Sequence, residues 1–167
     1  MKITLYMAMA LNGYIAKEDD KTPWSKPIWK SYYKIAKSFK AIILGRRTYQ
    51  IMKDAGEFNK IGNPFTIVIT NAAEIDDEKF AFVKTHKDSI KLLKNKGFKK
   101  ALLGGGGKLN SYFIKEKLID EIYLDIEPIL FGKGIKLFAE EDFETKLKLI
   151  SAKKLSKDIM QVHYKID

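Results

Sequence analysis

The sequence contains no cysteine and only two histidines, His86 and His163. Disulfides and thiolate chemistry are therefore excluded, and a metal site would have to be assembled from those two histidines and carboxylates, which show no ligand spacing. No metal is expected. No apolar run approaches the roughly 20 residues needed to cross a bilayer, and the chain starts with a strand-like Lys2–Met7 instead of a charged leader and apolar core. The expectation is a cytoplasmic protein with no membrane contact. Acids are the minority, 21 against 31 Lys and Arg, for a formal net charge of +10. Much of the excess lies between Lys84 and Lys100, where seven lysines accompany one acid, Asp88. A solvated lysine-rich helix face accounts for this. Motifs that read RNA or DNA are missing, so a nucleic-acid role would rest on charge alone and is not expected.

What is present is a globular composition, 46% hydrophobic and 31% charged over 167 residues. That length suits one domain, spanning 1–167, which buries roughly two-thirds of its unfolded surface. The most informative stretch is Ala101-Leu102-Leu103 followed by Gly104-Gly105-Gly106-Gly107-Lys108-Leu109-Asn110. A short apolar run ends in four glycines and then takes helical spacing at Leu109, Tyr112 and Phe113. Glycines let backbone approach an anion closely, and the helix start supplies free N–H groups and the positive end of a dipole. Neither Walker nor Gly-x-Gly-x-x-Gly spacing is met. A flexible Gly turn without a ligand is the alternative.

In chain order, residues 2–9 predict a buried strand and 10–16 a turn with a short extended piece. Residues 17–22 predict a loop, and Ser25 and Pro27 start a helix over about 27–39. Ala41–Leu44 predicts an apolar strand ending at Gly45-Arg46-Arg47-Thr48-Tyr49, with a short helix through Met52. Strands follow at 65–69, ending in Thr70-Asn71, and at 80–83; Asp88-Ser89 opens a lysine-rich helix stopped by Gly97. Later segments at 121–126, 147–150 and 160–166 change character, the last two alternating as an antiparallel hairpin packed on one face. The sum is an α/β fold, a mixed and mostly parallel sheet of about eight strands with about four helices on both faces. In such sheets ligands lie at the carboxyl ends of parallel strands. Asn12, Gly45 to Thr48, Thr70-Asn71 and Gly104 to Leu109 all sit just past apolar strands, and so converge on one phosphate-bearing ligand.

Four features resemble the dihydrofolate reductase superfamily, most closely the reductase domain of the riboflavin-pathway deaminase-reductases. They are Met9 to Ala16 (MALNGYIA), Gly45 to Tyr49 (GRRTY), Gly105 to Leu109 (GGGKL), and Asp120 to Leu124 with Pro128 to Ile135 (PILFGKGI). The resemblance implies a three-layer reductase fold and an NADPH-dependent enzyme. On the family pattern, Ala8 and Asn12 lie beside the nicotinamide, Gly45, Arg46, Arg47 and Thr48 hold the pyrophosphate and 2′-phosphate side, and Thr70 and Asn71 take the adenosine half. Gly105, Gly106, Gly107, Lys108 and Leu109 take the other side of the pyrophosphate, and loop 17–22 is a lid.

Departures from the pattern bear on the substrate. The first-helix carboxylate of dihydrofolate reductases falls at Trp29, and the arginine that clasps the folate tail falls near Pro64. Asp125 is the expected replacement acid on the facing strand, with Tyr123 and Glu127 on its face. Trp24, Trp29, Tyr33 and Tyr123 would line a heterocycle-sized pocket. Where the riboflavin branch usually has Asp, the chain has Asn12. The implied reaction is hydride transfer from NADPH to a pterin or aminopyrimidine, most like reduction of 5-amino-6-(5-phosphoribosylamino)uracil. Dihydrofolate reduction through Asp125 is the alternative, and a non-catalytic nucleotide- or nucleic-acid-binding protein the second. Relatives often form homodimers through the C-terminal sheet region.

Overall fold

The computed structural model describes residues 1–72 and 76–167. Among these residues ten strands form, β1 (Lys2–Ala10), β2 (Tyr14–Ala16), β3 (Ala41–Gly45), β4 (Phe65–Ile69), β5 (Phe80–Val83), β6 (Lys100–Leu103), β7 (Glu121–Glu127), β8 (Ile135–Lys136), β9 (Leu147–Lys154) and β10 (Met160–Ile166). Eight of them make one sheet in the order β5-β4-β3-β6-β1-β7-β10-β9, and β2 pairs with β8 separately. The sheet is parallel from β5 through β7 and antiparallel at β10 and β9. The central strands are nearly continuous apolar runs because both faces are covered.

Helices α1 (Lys26–Ala36), α2 (Arg46–Asp54) and α3 (Glu57–Lys60) cover one face, where Ala36, Tyr49 and Phe58 join one cluster with the strand residues Tyr6, Ile42 and Leu44. Helices α4 (His86–Asn95) and α5 (Gly107–Lys115) cover the other, where Leu93 and Phe113 join one cluster with the strand residues Ile3, Leu5 and Ile43. The result is the expected α/β three-layer fold with five helices. The helix absent from the expectation, α3, is a single turn that follows Gly56 in the left-handed region (φ 63°). Among the described residues no helix is long and apolar enough to cross a membrane.

Two boundaries and one packing expectation differ for local reasons. Helix α1 stops at Ala36 because Ser38 Oγ donates to the Ile35 carbonyl and closes the last turn; Phe39 is buried but follows the helix. Helix α4 starts at His86 because Thr85 is its cap, its hydroxyl oxygen accepting from Asp88 N–H at 3.1 Å. The C-terminal hairpin forms, but it is not packed on one face along both strands. All eight residues of β9 are exposed, Leu149 by 53%, because β9 is the sheet edge and no helix covers it.

Candidate active site

A cleft of about 1090 Å³ opens at the carboxyl ends of β1, β3, β4 and β6, where open α/β sheets hold ligands. Its size is just above the usual range of small-molecule sites, roughly 300–1,000 Å³.

One end is made of backbone. Strand β3 passes into α2 at Gly45 and β6 into α5 through Gly104 to Gly107, and Gly45 N–H donates to the Gly105 carbonyl at 2.9 Å. The Gly105–Gly106 peptide is cis, and Gly105 has φ 86°. A Cβ on Gly105 would collide with the Met7 side chain, and one on Gly107 with the Lys136 carbonyl oxygen. Neither α2 nor α5 has a side-chain cap or an acid in its first turn, so two positive helix ends lie side by side with N–H groups uncapped. Gly45, Arg46, Arg47, Thr48, Gly106, Gly107, Lys108 and Leu109 line this end, while Gly105 lies behind the wall.

Two expected contributors are placed elsewhere. Thr70 and Asn71 are not in the lining, and Thr70 Oγ1 accepts from Ala72 N–H at 3.0 Å. The wall beyond Ile69 is instead formed by Lys84, Thr85, His86 and Tyr112, with the His86 and Tyr112 rings 4.5 Å apart. Burial pushes the His86 imidazole below its ordinary range, so it is neutral at neutral pH. The β5-to-α4 junction was legible by the rule that flagged the other strand ends. Asn12 also lies outside the lining. Its side-chain N–H donates to the Phe131 carbonyl at 2.7 Å, and its oxygen accepts from Phe131 N–H at 3.3 Å.

Loop 17–22 reaches across the cleft. Asp20 Oδ2 pairs with Arg47 Nε at 2.6 Å and Nη2 at 2.5 Å, and Asp20, Thr22 and Trp24 are lining residues. Trp24 stacks with Phe131 at 6.3 Å.

The other end is made of side chains. Tyr6, Ala8, Trp29, Tyr32, Met52 and Glu57 surround a largely apolar chamber. Tyr33 and Tyr123 do not line it: Tyr33 stacks on the far side of Trp29 at 5.9 Å, and Tyr123 stacks on His163 at 3.7 Å. Nor does Asp125 point into the cleft, and this corrects the expectation for it. Asp125 is fully buried, with Oδ2 accepting from Tyr6 Oη at 2.7 Å and Oδ1 from Gln161 Nε2 at 2.6 Å. Gln161 Nε2 also reaches Ser31 Oγ at 2.9 Å, tying α1 to β10. Burial raises the Asp125 carboxyl above its usual range, against hydrogen bonds from Ser31, Tyr6 and Gln161. Burial and then the Asp125 charge push the Tyr6 phenol far upward, so it stays neutral. Glu127 accepts from Ser25 N–H and Oγ at 3.0 and 2.8 Å and anchors the start of α1.

Sequence reasoning missed Tyr6, Tyr32 and Glu57. Glu57 Oε1 accepts from Lys60 Nζ at 2.7 Å, while Oε2 is buried with no hydrogen-bond partner among the described residues. A buried carboxylate oxygen left in that state costs on the order of 1–3 kcal/mol. Burial, followed by the Glu57 charge, raises the Tyr32 phenol. Charge is thus divided along the cleft: Arg46, Arg47, Lys84 and Lys108 line the backbone-built end, and Glu57 is the charged residue of the chamber. No group of three metal-ligating side chains occurs among the described residues.

Parallel strands feeding two glycine-started helices beside an aromatic chamber define an α/β domain with an anion-receiving junction next to a ring-sized pocket. Residues 1–161 match the family model described as RibD C-terminal domain, and the chain belongs to that family. It is 31% identical over 170 residues to the uncharacterized protein YwjB of Bacillus subtilis (strain 168), covering 98% of this chain and 97% of the relative. It superposes with a TM-score of 0.84 on a putative riboflavin biosynthesis protein from Shewanella sp. PV-4 at 24% identity, covering 100% and 99% of the two chains. It also superposes with a TM-score of 0.71, at 18% identity, on a diaminohydroxyphosphoribosylaminopyrimidine deaminase/5-amino-6-(5-phosphoribosylamino)uracil reductase from Thermotoga maritima. That match covers 99% of this chain and 56% of the other.

Proposed function

We propose that this chain is an NADPH-dependent reductase of an aminopyrimidine- or pterin-type heterocycle. The observation that carries the reading is one continuous cleft that starts at two uncapped helix N-termini flanked by Arg46 and Arg47 and ends in the aromatic chamber beside Ala8. The residues fit the cofactor. Glycines at 45 and 106 leave room for a pyrophosphate against the N–H groups of α2 and α5. Two guanidiniums suit a 2′-phosphate, and the His86–Tyr112 pair offers a ring surface on the adenosine side. When bound, NADPH supplies the hydride.

The protein's contribution is positioning. Ala8, small and at the cleft floor, lets two rings approach; Trp24 and loop 17–22 exclude water from above; Trp29 and Tyr32 hold the second ring. Asp125 acts as a positioning residue, fixing Tyr6 through its hydroxyl, and the dihydrofolate reading that needed Asp125 as acid loses that acid. The product proton comes from water. The test is NADPH oxidation with 5-amino-6-(5-phosphoribosylamino)uracil and with dihydrofolate, run beside a direct NADPH titration. Turnover of either supports the reading; absent NADPH binding overturns it. A nucleic-acid-binding protein would instead show affinity that falls steeply with salt.

The same reading includes a homodimer formed by β9 of two copies, since an uncovered edge strand carrying Leu147, Leu149 and Ile150 is a pairing surface. Light scattering on Leu149→Lys checks it: a mass falling from two chains to one is the expected result.

A further inference from the structure

The chamber asks for something the protein does not provide. Glu57 is buried, lines the cleft, and has Oε2 without a hydrogen-bond partner among the described residues, although the Tyr33 phenol, raised by burial and then by Glu57, stands against the same carboxylate. Lys60 holds Oε1 from the solvent side, its own side chain half exposed. Tyr32 and Trp29 line the chamber beside Glu57, and Met52 and Ala55 complete an apolar surround. A carboxylate in such a surround attracts an N–H donor or a cation far more strongly than it would in water, and aromatic faces add to the attraction. The groups that would receive a phosphate, Arg46, Arg47, Lys84 and Lys108, line the other half.

We propose that the α3 end of the cleft selects a ring bearing an amidine- or amine-type group, whose N–H bonds to Glu57 Oε2, and rejects a phosphate or carboxylate there. This deepens the reductase reading and rests on it for the ring's approach to Ala8.

The experiment uses three probes that share one ring: benzamidine, benzamide and phenyl phosphate. Each is titrated calorimetrically into the protein with and without saturating NADP⁺, which blocks the basic half. Benzamidine is expected to bind about tenfold more tightly than benzamide, with phenyl phosphate weakest when NADP⁺ is present. In Glu57→Gln, with its melting temperature recorded, benzamidine falls to the level of benzamide. Equal binding of benzamidine and benzamide to the unmodified protein overturns the proposal whether or not the variant folds. So does an unchanged benzamidine affinity in folded Glu57→Gln, or phenyl phosphate binding as tightly as benzamidine beside NADP⁺. If NADP⁺ itself fails to bind, the reductase reading falls, while the comparison without it still decides the role of Glu57.

Discussion

The two halves of the cleft recognise by different means. Around Gly45 and Gly104 to Gly107 the wall is main chain, and what it offers an anion is N–H groups at two helix starts, with Arg46, Arg47, Lys84 and Lys108 around them. Around Tyr6, Trp29, Tyr32 and Glu57 it is side chain, apolar but for one carboxylate. The first half is suited to a constant partner, because its donors are fixed by the fold and no single side chain carries them. The second is suited to a variable partner, because each wall residue can be exchanged without disturbing a backbone hydrogen bond. Substitutions in the two halves should therefore separate cofactor affinity from substrate affinity.

Gly106→Val should have the largest effect. Its φ of −81° accepts a side chain, and a Cβ would lie an ordinary 3.7 Å from Thr48 Oγ1, so the fold survives. The added methyls stand where the anion must approach, and NADPH affinity should drop by at least ~100-fold, about 2.7 kcal/mol. A titration within threefold of the parent would remove the glycine junction from the site. Asp125→Ala probes the buried support beneath the chamber. It leaves Tyr6 Oη and Gln161 Nε2 without their acceptor and opens a hole, so chemical denaturation should show a loss of about 2 kcal/mol.

Asp125→Asn adds a pH test of that support. The folded carboxyl lies above its unfolded value, near 3.9, so its contribution to stability is present in full below that value and is lost as pH rises through the raised folded value. The stability of the parent relative to Asp125→Asn should therefore decline with rising pH across that window, and a flat difference would contradict the assignment. Trp29→Ala removes an aromatic wall. It should raise the substrate KM about tenfold while leaving NADPH affinity within twofold. Asp20→Asn should do least, because it removes one half-buried charge from a largely exposed guanidinium, strengthening NADPH binding about threefold at low salt and less at high salt.

The same contrast explains what the sequence revealed. The backbone-built half is local: Leu103 to Leu109 contains strand, glycines and helix start in one stretch, so spacing alone exposed it, and the eight-strand sheet followed from apolar runs of ordinary length. The chamber is assembled across the chain. Asp125 was placed at the cleft by its position in the family pattern, facing the missing helix acid; Tyr6, and Gln161 from far away in sequence, meet its carboxylate instead, with Ser31 bonded to the same Gln161 amide, and seal it. Glu57 stayed hidden because the turn that carries it, α3, is four residues long and has no periodicity to show. Strand β9 was misread for the same reason in reverse, since alternation in its sequence gave no hint that neither face would be covered.

The clamp between Asn12 and Phe131 gives the loop over the cleft a fixed anchor. An amide can both donate to the Phe131 carbonyl and accept from its N–H, which a carboxylate cannot do, so asparagine at this position pins two distant loops with one side chain. Phe131 then packs its ring near both Tyr14 and Trp24, on either side of residues 17–22. Both ends of that loop thus meet at one aromatic ring, while its middle is tied to the basic half of the cleft by the Asp20–Arg47 pair, so one asparagine side chain and one ion pair between them set where the loop lies over the cleft.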